Sequence, residues 1–160
     1  MQRPVTFARM RRILGVLMMA VLWTIVSAAR ADAACTVTTT GVDFGSYSVF
    51  APAPTDTTGT LTLHCTGLNI IVNATLSTGS SGTYATRTLR RGAETLSYNL
   101  FAEATRTSII GDGNGGTTDY TWFFLIGNQT RTETIYGRIF AAQDVSVGNY
   151  ADTVLVTVNF

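Results

Sequence analysis

The amino-acid sequence predicts an all-β domain, most simply a β-sandwich, and three observations indicate it. From Ala34 to the end, 26 of 127 residues are Thr and 14 are Gly, a composition that favours pleated strands punctuated by turns. No segment carries the apolar i, i+3, i+4, i+7 pattern of a helix over three turns. Short strand-like runs recur at close intervals instead, as in a sandwich.

The strands are predicted from runs of β-forming residues and from their alternation. They are Cys35–Thr40, Thr58–Thr66, Asn69–Ser77, Thr95–Ala102, Tyr120–Ile126, Thr132–Phe140 and Tyr150–Phe160. Leu61, Leu63 and Cys65 are expected to share one face of their strand, opposite His64. Turns are predicted at Ala51–Pro54, Thr78–Gly82, Gly111–Gly116 and Gly127–Asn128.

Residues 1–33 have the organisation of a secretory signal peptide. Four Arg precede an apolar run of 14 residues, Ile13–Val26, which is short for a membrane span of about 20 residues. Small residues follow, with Ala-x-Ala cleavage sites after Ala31 or Ala33. An uncleaved anchor is the alternative. We therefore predict a signal peptide at 1–33 and one exported domain at 34–160.

The charge of the domain argues against two classes of partner. The whole chain has a net charge of +1, but residues 34–160 contain six Arg and nine acidic residues and so carry −3. Nucleic acids and anionic membranes call for a basic surface, so neither is expected as a partner.

Cys35 and Cys65 are the two cysteines of the chain. Because an exported protein meets an oxidising compartment and no Cys-x-x-Cys motif is present, a disulfide between them is expected. Closing this loop would contribute about 3–4 kcal/mol in the chain-entropy model.

No catalytic, cofactor or metal site is predicted, and the protein is not expected to be an enzyme. His64, the one histidine, lies mid-strand without an evident acidic partner, as a solvent-facing residue would. The Gly111–Gly116 stretch formally fits G-x-G-x-x-G but precedes a strand-like run, so a flexible hairpin loop is expected. Asp112, Asn114 and Asp119 lack the spacing of an EF-hand.

Two clusters allow a structural or a binding interpretation. Arg87, Arg90 and Arg91 suggest a solvated hairpin, or contact with an acidic polysaccharide or a neighbouring subunit. The run Trp122, Phe123, Phe124, Leu125 and Ile126 predicts a strand buried on both faces, or an exposed adhesive tip.

Several motifs, in order, resemble the spore coat protein U domain, the subunit fold of archaic chaperone–usher pili. They are Ala34–Val37, Val42–Tyr47, Gly59–Thr66, Leu96–Phe101, Ile110–Gly113, Ile135–Ile139 and Val147–Val154. The resemblance implies an incomplete immunoglobulin-like sandwich that lacks its final strand. It also implies a periplasmic chaperone, an outer-membrane usher and other pilus or coat subunits as partners, and a path through the periplasm to the cell surface.

In this family a donated strand completes the sandwich by β-augmentation. By resemblance, the face formed by Val154, Val156, Val158 and Phe160 should line the groove that receives this strand. At most Asp32–Ala34 would precede Cys35 after cleavage, which is too short to donate a strand at about 3.3 Å per residue. A tip, terminating or minor subunit is therefore expected. The alternative is a self-contained secreted binding module for carbohydrate or surface adhesion.

Overall fold

The computed structural model describes residues 34–67, 70–125 and 127–160. The predicted signal peptide lies outside the described residues, as do Asn69 and Ile126 at the ends of two predicted strands. In the described ranges, no helix is long and apolar enough to cross a membrane.

Eight strands are present in the described residues. They are β1 (Ala34–Thr40), β2 (Thr55–Gly67), β3 (Ile70–Leu76), β4 (Arg87–Arg91), β5 (Glu94–Phe101), β6 (Tyr120–Phe124), β7 (Gly127–Ile139) and β8 (Val156–Asn159). A 3-10 turn, Gly79–Ser81, follows β3. All seven predicted strands are present, although β8 is much shorter than predicted, and β4 is added by the Arg-rich segment.

The strands form two antiparallel sheets. One has five strands in the order β1-β2-β7-β5-β4, and the other has three in the order β6-β3-β8. One apolar core fills the space between them, and the β2 residues Leu61, Leu63 and Cys65 are fully or almost fully buried in it. His64 is exposed between them, so the predicted alternation is confirmed. The predicted all-β sandwich is thus the observed architecture.

The abundance of Thr follows from the outer face of the five-stranded sheet. Thr40 and Thr60, directly opposite on β1 and β2, have hydroxyl oxygens 2.9 Å apart, and those of Thr62 and Thr132 on β2 and β7 are 3.0 Å apart. Such cross-strand hydroxyl pairs stabilise a sheet while their methyl groups cover the strands. The Thr residues therefore have a structural role on a solvent-facing surface.

Candidate functional site

The last strand, β8, lies at the edge of the three-stranded sheet. It pairs with β3 on one side, from Leu76↔Val156 to Asn73↔Asn159. The inward side chains Val154, Val156 and Val158 pack against the core but remain only half-buried. Phe160 is 60% exposed. The predicted groove residues thus belong to an edge whose inner face is incompletely covered.

The two edges of the three-stranded sheet lie over different strands of the five-stranded sheet. The strand β6 lies over β7, because the Tyr120 hydroxyl donates to the Thr134 carbonyl at 3.0 Å and Trp122 Nε1 donates to Glu133 at 2.9 Å. On the opposite side, the chain leading into β8 is bonded to β4 through Ala151 and Arg90. The free edge of β8 therefore faces the β4–β5 end of the larger sheet.

A groove of about 870 Å³ opens at this end. Its floor includes Leu89, Leu96 and Ile139, from three neighbouring strands of the larger sheet. Two irregular segments, residues 42–50 and 145–152, form its walls. Val154, Val156, Val158 and Phe160 do not line this groove. They lie on the stretch of chain that continues from its second wall.

Glycine at position 137 allows the first wall to lie on the sheet. A Cβ at Gly137 would lie 2.5 Å from a methyl of Val42 and 2.8 Å from the ring of Phe44. Phe44 in turn packs edge-on against Tyr98, with ring centroids 5.8 Å apart. A Gly inside a strand often marks such a close approach. Gly137 could therefore have indicated the first wall from the sequence, although the wall was not predicted.

Hydrogen bonds donated by Gln143 and hydrogen bonds accepted by Glu94 hold the segment that forms the second wall. The backbone N–H of Gln143 donates to the Tyr47 hydroxyl at 2.8 Å, which connects the two walls. The Ser146 and Tyr150 hydroxyls each donate to Glu94 at 2.6 Å. These bonds, from Ser146 first, lower the pKa of Glu94. The groove therefore has fixed walls although neither wall is a regular strand.

Two large apolar side chains at the groove are almost fully exposed. Phe50 on the first wall is 93% exposed and Val147 on the second is 97% exposed. Side chains of this kind normally lose most of their accessible surface in a folded domain. Their exposure makes this region a candidate binding surface.

Asp152 connects the second wall to both sheets. It accepts hydrogen bonds from the Tyr98 hydroxyl of β5 at 2.7 Å and from the Ser80 N–H at 2.8 Å. Burial raises the pKa of Asp152, but these hydrogen bonds outweigh burial and the pKa is lowered. Burial, reinforced by Asp152, raises the pKa of Tyr98. Asp152 is therefore a carboxylate at neutral pH.

The prediction of a solvated Arg cluster is wrong for Arg87. Arg90 and Arg91 are exposed, but Arg87 is completely buried. Its guanidinium donates to Asn99 Oδ1 and the Ile110 carbonyl, both at 2.8 Å, and to the Ser77 carbonyl. A buried Arg is tolerated when acceptors satisfy its donors, and burial lowers its pKa. The sequence does not show these acceptors because they are mostly backbone carbonyls of distant loops.

The apolar run on β6 is neither buried on both faces nor fully exposed. Phe124 is 1% exposed and Trp122 is half-buried, whereas Phe123 and Leu125 are 55% and 54% exposed. Ile126 lies outside the described residues. The physical reason is that no third layer covers the outer face of the smaller sheet within the described ranges. Phe123 is paired there with Ile71 of β3, which is 65% exposed.

Cys35 and Cys65 form a disulfide that joins β1 to β2. The two residues are directly opposite in the strand register. The bond fixes β1, whose side chains are mostly exposed and contribute little to the core. The expected pairing is confirmed.

The polar residues considered for metal binding are occupied by local hydrogen bonds. Asp112 accepts from the Asn114 N–H at 3.0 Å, and Asp119 accepts from Asn73. Among the described residues, no group of three or more His, Cys, Asp or Glu could hold a metal ion. The Gly111–Gly116 loop leads from β5 to β6 in the other sheet, so it is not a hairpin loop.

Comparison with known proteins matches the chain to one family. The family model described as Spore Coat Protein U domain matches residues 22–157. No curated protein matches the chain. Among solved structures, it is similar to a chain in the CsuC–CsuE chaperone–tip adhesion subunit pre-assembly complex from archaic chaperone–usher Csu pili of Acinetobacter baumannii. That match has 19% identity and a TM-score of 0.52, and it covers 80% of this chain and 40% of that chain. The chain thus spans less than half the length of the solved chain.

Proposed function

The chain belongs to the Spore Coat Protein U domain family, and from this premise we propose that it is a structural subunit of a cell-surface pilus or coat. A chaperone–usher pathway assembles it, and a strand from another protein completes its sandwich. The periplasmic chaperone, the outer-membrane usher and neighbouring subunits are its partners. The protein passes through the periplasm and ends at the cell surface. The function involves no chemical reaction.

The open β8 edge beside an apolar groove is the observation that supports this function. Among the described residues, β8 is hydrogen-bonded to β3 alone, and its inward Val side chains remain half-buried. An added strand would satisfy the backbone groups of the free edge and place alternate side chains beside the half-buried Leu89. An uncovered apolar edge promotes aggregation, so a protein with this surface needs a partner.

A tip or minor position in the fibre follows if the signal peptide is cleaved after Ala31 or Ala33. The exported chain would then begin within three residues of Cys35, and Cys35 is fixed to Cys65 on β2. Such a subunit accepts a strand and donates none. N-terminal sequencing of the exported protein tests this position, and a start well before Asp32 would contradict it.

Co-expression in the periplasm with candidate pilus chaperones, followed by pull-down, tests the proposed function. We expect a stable complex with one chaperone, and aggregation or degradation when the subunit is expressed alone. A subunit that is soluble and monomeric alone, and that no chaperone captures, would contradict the proposal.

A subunit that is soluble and monomeric without a chaperone would favour a self-contained secreted module for carbohydrate binding or surface adhesion. The exposed pair Ile71 and Phe123 on the smaller sheet is the observation in favour of this alternative. A complete module would keep its fold without any partner. Solubility in the absence of a chaperone therefore separates the two functions.

A further inference from the structure

The first strand, β1, is an edge of the five-stranded sheet. Among the described residues, Ala34–Thr40 pairs with β2 and with no other strand. Cys35 and Cys65 have Cα atoms 4.1 Å apart, the close spacing of an antiparallel pair that exchanges no backbone hydrogen bonds. Since the two kinds of pair alternate, the N–H and C=O groups of Cys35, Val37 and Thr39 point away from β2. The outer side of β1 therefore presents a row of unpaired backbone donors and acceptors.

This edge has none of the features that usually prevent an edge strand from pairing. Natural sheets protect an edge with a charged residue, a proline, a bulge or a covering segment. The sequence of β1, Ala-Cys-Thr-Val-Thr-Thr-Thr, has no charge and no proline, and its register with β2 is unbroken. The opposite edge of the sheet, β4, carries Arg90 and Arg91 and is bridged by Ala151. In contrast to β4, β1 is an unprotected edge.

Val37 adds an exposed apolar side chain on the inner face of β1. It lies opposite Leu63, which is completely buried, yet Val37 is 40% exposed. The reason is that the smaller sheet ends at β6, which lies over β7, and β1 is two strands further out. A strand paired with β1 would therefore satisfy the free backbone groups and cover Val37 at the same time.

The outer face of the sheet beside this edge contains no Arg, Asp or Glu. Nine outward positions on β1, β2 and β7 form three rows across the sheet, and eight of them are Thr. The rows are Thr36, His64 and Thr130, then Thr38, Thr62 and Thr132, and then Thr40, Thr60 and Thr134. Two copies of a domain with a net charge of −3 repel each other, and an uncharged region keeps this repulsion small. A second copy can therefore approach the molecule here.

A second copy also fits the edge geometrically, in a two-fold arrangement centred on Val37. Antiparallel pairing places Val37 opposite its own equivalent, where the two exposed side chains cover each other. Cys35 then exchanges backbone hydrogen bonds with Thr39 of the second copy, and Thr36 lies opposite Thr38, a hydroxyl pairing that already recurs within the sheet. We propose that two copies of this protein associate through β1 and so join their five-stranded sheets into one continuous sheet.

This contact leaves the strand-accepting edge free. The strands β1 and β4 are opposite ends of the larger sheet, and the chain that leads into β8 is bridged to β4. A subunit that a chaperone holds at β8 can therefore still pair with a second copy through β1. Contact along one strand buries less than the roughly 1,200 Å² of a stable interface, so the association should be weak and concentration-dependent. On a cell surface it would connect subunits of neighbouring fibres.

Sedimentation of the purified chaperone–subunit complex at increasing concentration tests the inference. We expect the mass to rise from that of one complex to that of two. Val37→Lys places like charges opposite each other at the two-fold axis and should weaken the association at least about tenfold. Val37→Pro removes an N–H that points away from β2, so it should weaken the association while preserving the β1–β2 pairing. Both variants should retain the melting temperature of the wild-type complex.

Ile71→Lys is the matched control, because Ile71 is an exposed apolar residue on the smaller sheet. We expect it to associate as the wild type does. A complex that stays single at every concentration, unchanged association of both Val37 variants, or loss of association in Ile71→Lys would overturn the inference. Absence of any chaperone complex would count against the proposed function alone. The same titration of the soluble subunit would then decide the role of β1 separately.

Discussion

Replacing Val156 with Asp tests the acceptor edge directly. Val156 is half-buried in β8 and packs against the core. Losing half of the burial of a Val side chain costs about 1 kcal/mol, and at the uncovered edge the new carboxylate can still reach water. When a partner strand covers the position, the carboxyl must be protonated. Raising its pKa from about 3.9 to above 7 costs about 4 kcal/mol more.

The expected loss therefore depends on whether a partner strand covers β8. The total penalty is about 1 kcal/mol while the edge is uncovered and about 5 kcal/mol once a strand covers it. The difference of about 4 kcal/mol lowers the affinity for an incoming strand by roughly a thousandfold. We expect Val156→Asp to escape chaperone capture and to be degraded in the periplasm, as measured by pull-down and immunoblotting of the full chain.

Thr157→Asp is the control, because Thr157 is adjacent in sequence but exposed on the opposite face of β8. A surface substitution of this kind changes stability by about 0.5 kcal/mol or less. We expect near-normal capture of this variant. Normal accumulation and capture of Val156→Asp would refute the role of this face in receiving a strand, and so would an equal loss in both variants.

Three further perturbations have defined outcomes. Replacing both Cys35 and Cys65 with Ser should lower the stability of the chaperone complex by about 3–4 kcal/mol in denaturant titrations, because the link closing a separation of 30 residues is lost; an unchanged midpoint would show that β1 needs no disulfide. Hydrogen bonds, from Thr107 first, lower the pKa of Glu103 from 4.5 to about 2, so its contribution is complete above the unfolded-state value and is lost as pH falls towards 2. The melting temperature should therefore fall less steeply with acidification in Glu103→Gln than in the wild type. Identical pH profiles of the two proteins would contradict the stabilising role of the Glu103 carboxylate. Phe124→Ala should cost about 3–5 kcal/mol because Phe124 is buried, while Phe123→Ala should leave the unfolding midpoint nearly unchanged, and the reverse order would contradict the orientation of β6.

The positions of most strands could be predicted from local sequence. Alternation places Leu61 and Leu63 inside and His64 outside, and the structure agrees because the period of two in a strand assigns faces directly. The pairing of Cys35 with Cys65 needed only the expectation of an oxidising compartment. These features depend on neighbours along the chain or on the chemistry of single residues.

The extent of individual strands was harder to predict, because a strand ends where its partner ends. The segment from Tyr150 to Leu155 is predicted to be a strand but lies outside β8. The reason is that Ala151 is hydrogen-bonded to β4 and Asp152 to Tyr98. Conversely, Gly127 and Asn128 read as a turn but begin β7, because they lie opposite Gly67 and Thr66 of β2. Both differences arise from pairing between segments far apart in sequence.

The sequence by itself determined the all-β class, the family, the disulfide and the apolar face of the last strand. Tertiary structure alone decided that Arg87 is buried, that Phe123 and Phe124 face opposite environments, and that two irregular segments enclose a groove beside β8. The physical reason is the range of the interactions. Strand periodicity and cysteine chemistry are local, whereas the burial of a charge and the opening of a groove depend on which distant carbonyls and strands come to lie next to each residue.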